Sequence, residues 1–154
     1  MMMEELGIKI DDWKEQIEKA YSFQTNWNIN FHSKIWEMSM NAFDKPREVQ
    51  VVIDSNEKLY ISVGTPGFVS FEGQESQLVG MKLPLRDWIH THPFGNAYFS
   101  GTDLKTIGMW ERYLDKATVL GDNEEMSIFF RVGPKGEHFQ EYSQFIWVSE
   151  DEEE

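Results

Sequence analysis

The sequence predicts an α/β protein, a single mixed, mainly antiparallel sheet flanked by helices. Three observations lead there. Apolar residues recur at helical spacing up to Pro46, β-branched runs take over beyond it, and the strand-like run at 85–93 passes directly into a second helical pattern. The 154 residues suit one domain, able to bury about 70% of its unfolded surface.

The elements follow in chain order. "IDDWKEQIEKAYSF" places Ile10, Trp13, Ile17 and Tyr21 on one helical stripe, with Asp11 and Asp12 near its start. "NFHSKIWEMSMNAF" repeats the pattern with Phe31, Ile35, Met38 and Phe43 and ends before Pro46. His32 lies on this helix and is expected to be an ordinary surface or packing residue. "EVQVVID" and "KLYISVG", separated by Ser-Asn-Glu, read as a hairpin, and "GFVSFEG" as a continuation of the sheet. "LRDWIHTHP" is a strand closed by Pro93, because proline cannot donate to a ladder. "SGTDLKTIGMWERYLDK" is a helix with Leu104, Ile107 or Gly108, and Trp110 to Leu114 on its apolar side. "ATVLG", "MSIFFRV", "EHFQEY" and "FIWV" supply further strands, and Gly133-Pro134-Lys135-Gly136 a turn beside an exposed, idle His138. The expected organisation is a helical extension over 1–27, a domain over 28–149 and an acidic disordered tail over 150–154.

Composition narrows the chemistry. A formal charge of -13 argues against nucleic acid as a partner, since phosphate contacts need clustered Lys and Arg. No apolar run approaches the roughly 18 residues of a membrane span, and the first residues lack a secretory pattern. The expected setting is therefore the cytoplasm, away from any membrane. Cysteine is absent, which removes disulfides and thiolate metal sites. Any metal must be held by histidine and carboxylate.

One stretch concentrates such residues: "WIHTHPFGNAYFSGTD", residues 88–103. On a strand, positions i and i+2 share a face, so His90 and His92 can reach one cation. Asp103 falls in the first turn of the next helix, where the chain can return it to the strand end. Two neutral imidazoles, one carboxylate and a water make a four-coordinate zinc site with an open position. A plainer reading stands beside it. Ser100 and Asp103 have the spacing of a capping box, and acids are favoured near helix N-termini. The two readings are compatible.

His-x-His-Pro, six residues, then Ser-x-x-Asp, with Trp88, Thr91 and Phe99 in the flanks, resembles the JAMM motif of the MPN+ zinc metalloproteases. Locally it is most similar to AMSH-type deubiquitinases. The likeness is dense over residues 86–107. It implies an MPN, cytidine-deaminase-like JAMM fold in which His90, His92 and Asp103 hold Zn2+. Ser100 would steady the tetrahedral intermediate, and a glutamate on an early strand would act as general base. Glu48 is the candidate for that base. Glu57 sits in the expected turn, and Glu72 and Glu75, in a loop, remain alternatives. The implied substrate is ubiquitin or a ubiquitin-like protein, its C-terminal tail added as a strand along a lip formed by Gly64 to Val79. The sequence departs from the family pattern at Val49-Gln50-Val51-Val52, where small residues are usual, and at Asp87, where glycine is common. The lack of cysteine departs from the extra zinc-bearing insertion of AMSH-type enzymes. Other members keep the same motif for phage-tail or sulfur-carrier processing. Metal-free MPN scaffolds only bind partners, for which Trp27, Trp36 and Trp147 would be surface candidates.

Overall fold

The computed structural model describes residues 2–22, 29–64 and 80–147. Two helices come first, α1 (Met2–Ser22) and α2 (Ile29–Asn41), then strands β1 (Val49–Ile53), β2 (Leu59–Val63) and β3 (Asp87–Thr91). After β3 come helix α3 (Gly101–Trp110) and strands β4 (Lys116–Gly121), β5 (Glu124–Val132) and β6 (His138–Ile146). The strands form one six-stranded sheet in the order β2-β1-β3-β4-β5-β6. Every neighbouring pair is antiparallel except β3 and β4, which run parallel because α3 crosses over between them. No helix of the described residues is long and apolar enough to cross a membrane.

The sheet is covered on both faces, which explains why β1 and β3 are buried along their whole length. On one face Ile17 of α1 and Phe31, Ile35 and Met38 of α2 pack against Val49, Val51, Ile53, Ile89 and Leu120. Ile10, Trp13 and Tyr21 border that cluster, so the stripe read from the sequence is the packing face of α1. On the other face Ile107 and Trp110 of α3, with Leu114, cover Val52, Trp88, Ala117 and Ile128. The register pairs His90 with Gln50 on β1 and with Val119 on β4, which puts His90 on the α3 side and its neighbours Ile89 and Thr91 on the other.

Three sequence expectations change. Helix α3 stops at Trp110 rather than running on to Lys116, and a 3₁₀ turn, Glu111–Tyr113, follows. The sheet pulls the chain out of the helix there, with Leu85 N donating to Tyr113 O (2.7 Å) and Asp115 N to Leu85 O (2.8 Å). Leu104 is 46% exposed instead of facing the core. "EHFQEY" and "FIWV" are one strand up to Ile146, paired without a break from Val132↔His138 to Glu124↔Ile146. The expected strand at 67–73 lies outside the described residues.

His32 is buried, and its Nδ1 lies 3.0 Å from Glu125 Oε2 on β5. Nearby, Asp87 accepts from the Thr118 hydroxyl at 3.1 and 3.2 Å, and Lys116 Nζ stands 3.8 Å away. These side chains form a polar strip between α2 and the sheet. Asp87 can therefore occupy the strand position where the resembled family often has glycine, because it points away from the His90 face. Burial raises its pKa to about 6 even though Lys116 and His32 oppose the shift. A native pKa above the unfolded value means that the folded state holds the proton more tightly. This contribution favours folding at low pH and is lost as pH rises through about 6. The shift corresponds to roughly 3 kcal/mol. Asp87→Asn should stabilise the protein by about 1–3 kcal/mol at pH 7.5, with most of that gain gone at pH 4.5. Paired urea titrations at the two pH values test it, and an equal difference at both would contradict it.

Candidate metal centre

The β3-loop-α3 crossover builds the site. Strand pairing ends at Thr91, but His92 N still donates to Leu120 O (2.8 Å), so both histidines remain fixed to the sheet. The chain turns at Pro93, closed by Gly95 N donating to His92 O (3.2 Å), and re-enters a helix at Ser100. Ser100 is extended at φ -69° and ψ 169°, as an N-cap requires, and its hydroxyl oxygen accepts from Asp103 N (3.1 Å). Asp103 Oδ2 accepts in return from Ser100 N (2.9 Å), completing the capping box.

The same Oδ2 atom faces both imidazoles. It lies 3.0 Å from His90 Nε2 and 3.1 Å from His92 Nε2, and the three ligand atoms fall within 4.8 Å of one another. Cap and ligand are thus one carboxylate oxygen. Three donors each about 2 Å from a common cation stand roughly 3–3.5 Å apart, so this spacing suits a metal ion. His90 makes no aligned hydrogen bond through either ring nitrogen among the described residues, though it is almost fully buried. A buried imidazole with a convergent, unsatisfied nitrogen fits a metal ligand better than a hydrogen-bonded core histidine. The group could therefore hold a metal ion.

Electrostatics agrees with the geometry at His90 and at Asp103. Burial holds the His90 pKa below its ordinary value, outweighing the pull of Asp103, and this keeps the lone pair that a metal needs. Burial acts the same way on His92, but Asp103 and then Glu48 outweigh it and raise its pKa. Burial would raise the Asp103 pKa, yet His90, His92 and the Ser100 N–H hold it well below the usual carboxylate range.

Other side chains orient the ligands. The Trp88 indole stacks on the His90 ring, centroids 4.5 Å apart and planes 18° apart. Trp88 Nε1 donates to Gln50 Oε1 (2.8 Å), and Gln50 Nε2 reaches Ser62 Oγ (3.3 Å). The His92 ring meets Tyr98 edge-on, centroids 4.9 Å apart. Glu48 is half-buried, immediately before β1. Its charge acts on His92, two residues beyond the Gln50↔His90 pair that ends the β1–β3 ladder. Glu57 lies in the β1–β2 turn at φ 64° and accepts from Tyr21 of α1 (3.3 Å), away from the histidines. Glu72, Glu75 and residues 65–79 of the expected lip lie outside the described residues.

No family model, curated protein or solved structure matches the chain. The site therefore rests on its own geometry. Sequence reasoning does not mark Gln50 as a support. The alternation Glu48, Gln50, Val52 along β1 is the available signal for it.

Titration with Co2+ or Zn2+ should show about one ion per chain. His90→Ala and Asp103→Asn should each weaken uptake by at least about 100-fold. The asparagine still caps α3, so helical circular dichroism should persist in that variant. Unchanged uptake in both variants would remove the site.

Proposed function

We propose that the chain is a zinc-dependent isopeptidase with an MPN-type fold, cleaving the amide bond that follows a ubiquitin or ubiquitin-like C-terminus. The observation that carries the proposal is the meeting of His90 and His92 from a strand with a capping carboxylate from the next helix, the charge of Glu48 acting on His92. Two imidazoles and one carboxylate, with no thiolate, are a hydrolytic zinc donor set that leaves a coordination position free. The resemblance of residues 86–107 to the JAMM motif supports the substrate class.

When bound, zinc supplies a water acidified to a pKa of about 7 and a Lewis acid for the scissile carbonyl. His90, on β3 and held below its ordinary pKa, and His92, just past the strand end, would present their Nε2 atoms, and Asp103 would contribute the anionic ligand. Glu48, in reach of His92 electrostatically, accepts the proton of the attacking water and hands it to the departing lysine amine. The Ser100 hydroxyl oxygen accepts the Asp103 N–H, which leaves its own proton for the developing oxyanion. Together these residues cover base, acid and oxyanion donor for amide hydrolysis.

Cleavage of a ubiquitin-fusion substrate should be lost on chelation and return with Zn2+. Glu48→Gln should lower kcat about 100- to 10,000-fold while metal stays bound. Ser100→Ala should lower kcat about 100- to 1,000-fold. Zinc-loaded wild type inactive on ubiquitin and ubiquitin-like fusions alike would overturn the substrate assignment, and full activity in Glu48→Gln would overturn the mechanism.

A further inference from the structure

The loop joining the two histidines to Asp103 lies directly on the end of β4. There Asp122 N donates to Gly95 O (3.2 Å), and Ala97 N reaches Glu124 Oε1 (3.3 Å). Between these contacts is Gly121, buried at the last position of β4. A Cβ on Gly121 would run into backbone, nearest Ala97 N, 2.6 Å from Asn96 C and 2.9 Å from Ala97 Cα. Backbone cannot swing aside as a side chain can, so any larger residue must lift the Asn96–Ala97 peptide off the sheet. That peptide belongs to the His92 surroundings, because it is followed by Tyr98, whose ring meets the His92 ring edge-on, and preceded by Gly95, whose N–H donates to His92 O. It also leads within a few residues to Ser100 and Asp103.

We infer that Gly121 is a positioning residue of the metal centre: its missing side chain seats the Asn96–Ala97 peptide, which in turn fixes the His92 ring and the approach of Asp103, with Glu124 holding the seat from the side. The inference rests on the metal reading above but not on any particular substrate. Outer partners of metal-bound histidines fix ring orientation, and losing them typically weakens binding about 10- to 100-fold. Gly121 exerts the same control one step removed, through the loop backbone that carries Tyr98 to the His92 ring. Nothing in its residue type announces this role, since glycine at a strand end ordinarily reads as a turn residue.

The test is zinc affinity by chelator competition on the full chain, with the Co2+ spectrum as a second readout. Gly121→Ala should weaken zinc binding about 10- to 100-fold and alter the Co2+ bands. Gly108→Ala, where a Cβ would meet nothing within 4 Å, should bind as wild type does. Glu124→Ala should weaken binding, and Glu124→Gln, which keeps an acceptor for Ala97 N, should restore most of it. A merely structural role would lower the melting temperature of the metal-free protein while leaving zinc affinity unchanged, and that result in folded Gly121→Ala overturns the inference. Should Gly121→Ala fail to fold, the Glu124 pair decides, with equal affinity in Glu124→Ala and Glu124→Gln counting against it. Wild type that binds no zinc overturns the metal reading as well. Wild type that binds zinc but cleaves no fusion leaves this inference standing and ends only the proposed function.

Discussion

One carboxylate oxygen organises the region around it. Asp103 Oδ2 accepts the Ser100 N–H, so it is fixed to the start of α3, and it also faces the two imidazoles at the end of β3. A helix cap costs little to build, because the first-turn N–H groups need acceptors in any case. Here that requirement also delivers an anion to a defined place. The crossover to parallel β4 sets the helix start above the strand end, so the backbone path and the donor set are consequences of one connection.

The strand side of the arrangement depends equally on register. The antiparallel pairing with β1 sets Trp88 opposite Val52 and His90 opposite Gln50, while Ile89 lies opposite Val51 inside the α1/α2 core. A slip of one residue would turn both imidazoles toward that core and Ile89 toward the α3 face. Burial on both faces makes the slip costly in either direction. The rigidity of β3 is therefore bought by apolar packing that has no part in the chemistry. It explains how a histidine as buried as His90 can keep one ring orientation, with the Trp88 stack as its immediate support.

Local periodicity made much of this legible. The stripe Ile10, Trp13, Ile17, Tyr21 and the apolar side of α2 were readable because each helix buries one side only. The spacing of His90, His92 and Asp103 was readable because a strand repeats every two residues and a cap sits at a fixed place in a helix. What escaped was set by contacts distant in sequence. The end of α3 is decided by Leu85, some 25 residues earlier, whose backbone draws Tyr113 and Asp115 into the sheet. β6 has almost no buried face, so its side-chain pattern reads as two strands, and only its ladder with β5 shows that it is one element. Gly121 is decided by what lies above it, which no window of sequence contains.

Composition alone would not have distinguished the two histidine-carboxylate groups of this molecule. On the α2 side of the sheet, buried His32 meets Glu125 and feels the charge of Asp87, while Trp147 Nε1 donates to the second Glu125 oxygen (2.9 Å). That group has a histidine and two acids, as many potential ligands as the site at 90–103. His32 Nδ1 lies 3.0 Å from Glu125 Oε2 without an aligned hydrogen bond, so an unsatisfied buried imidazole is common to both groups. Among the described residues only His90, His92 and Asp103 bring three ligand atoms within 4.8 Å of one another. A buried acid facing a single imidazole makes an ion pair that joins α2 to the sheet. At 90–103 two imidazoles face one oxygen, which hydrogen-bonds His92 Nε2 and Ser100 N and leaves His90 Nε2 without an aligned partner. The convergence of three ligand atoms, rather than an unsatisfied nitrogen, is what a cation would use, and it separates a site from a joint by geometry rather than by residue type.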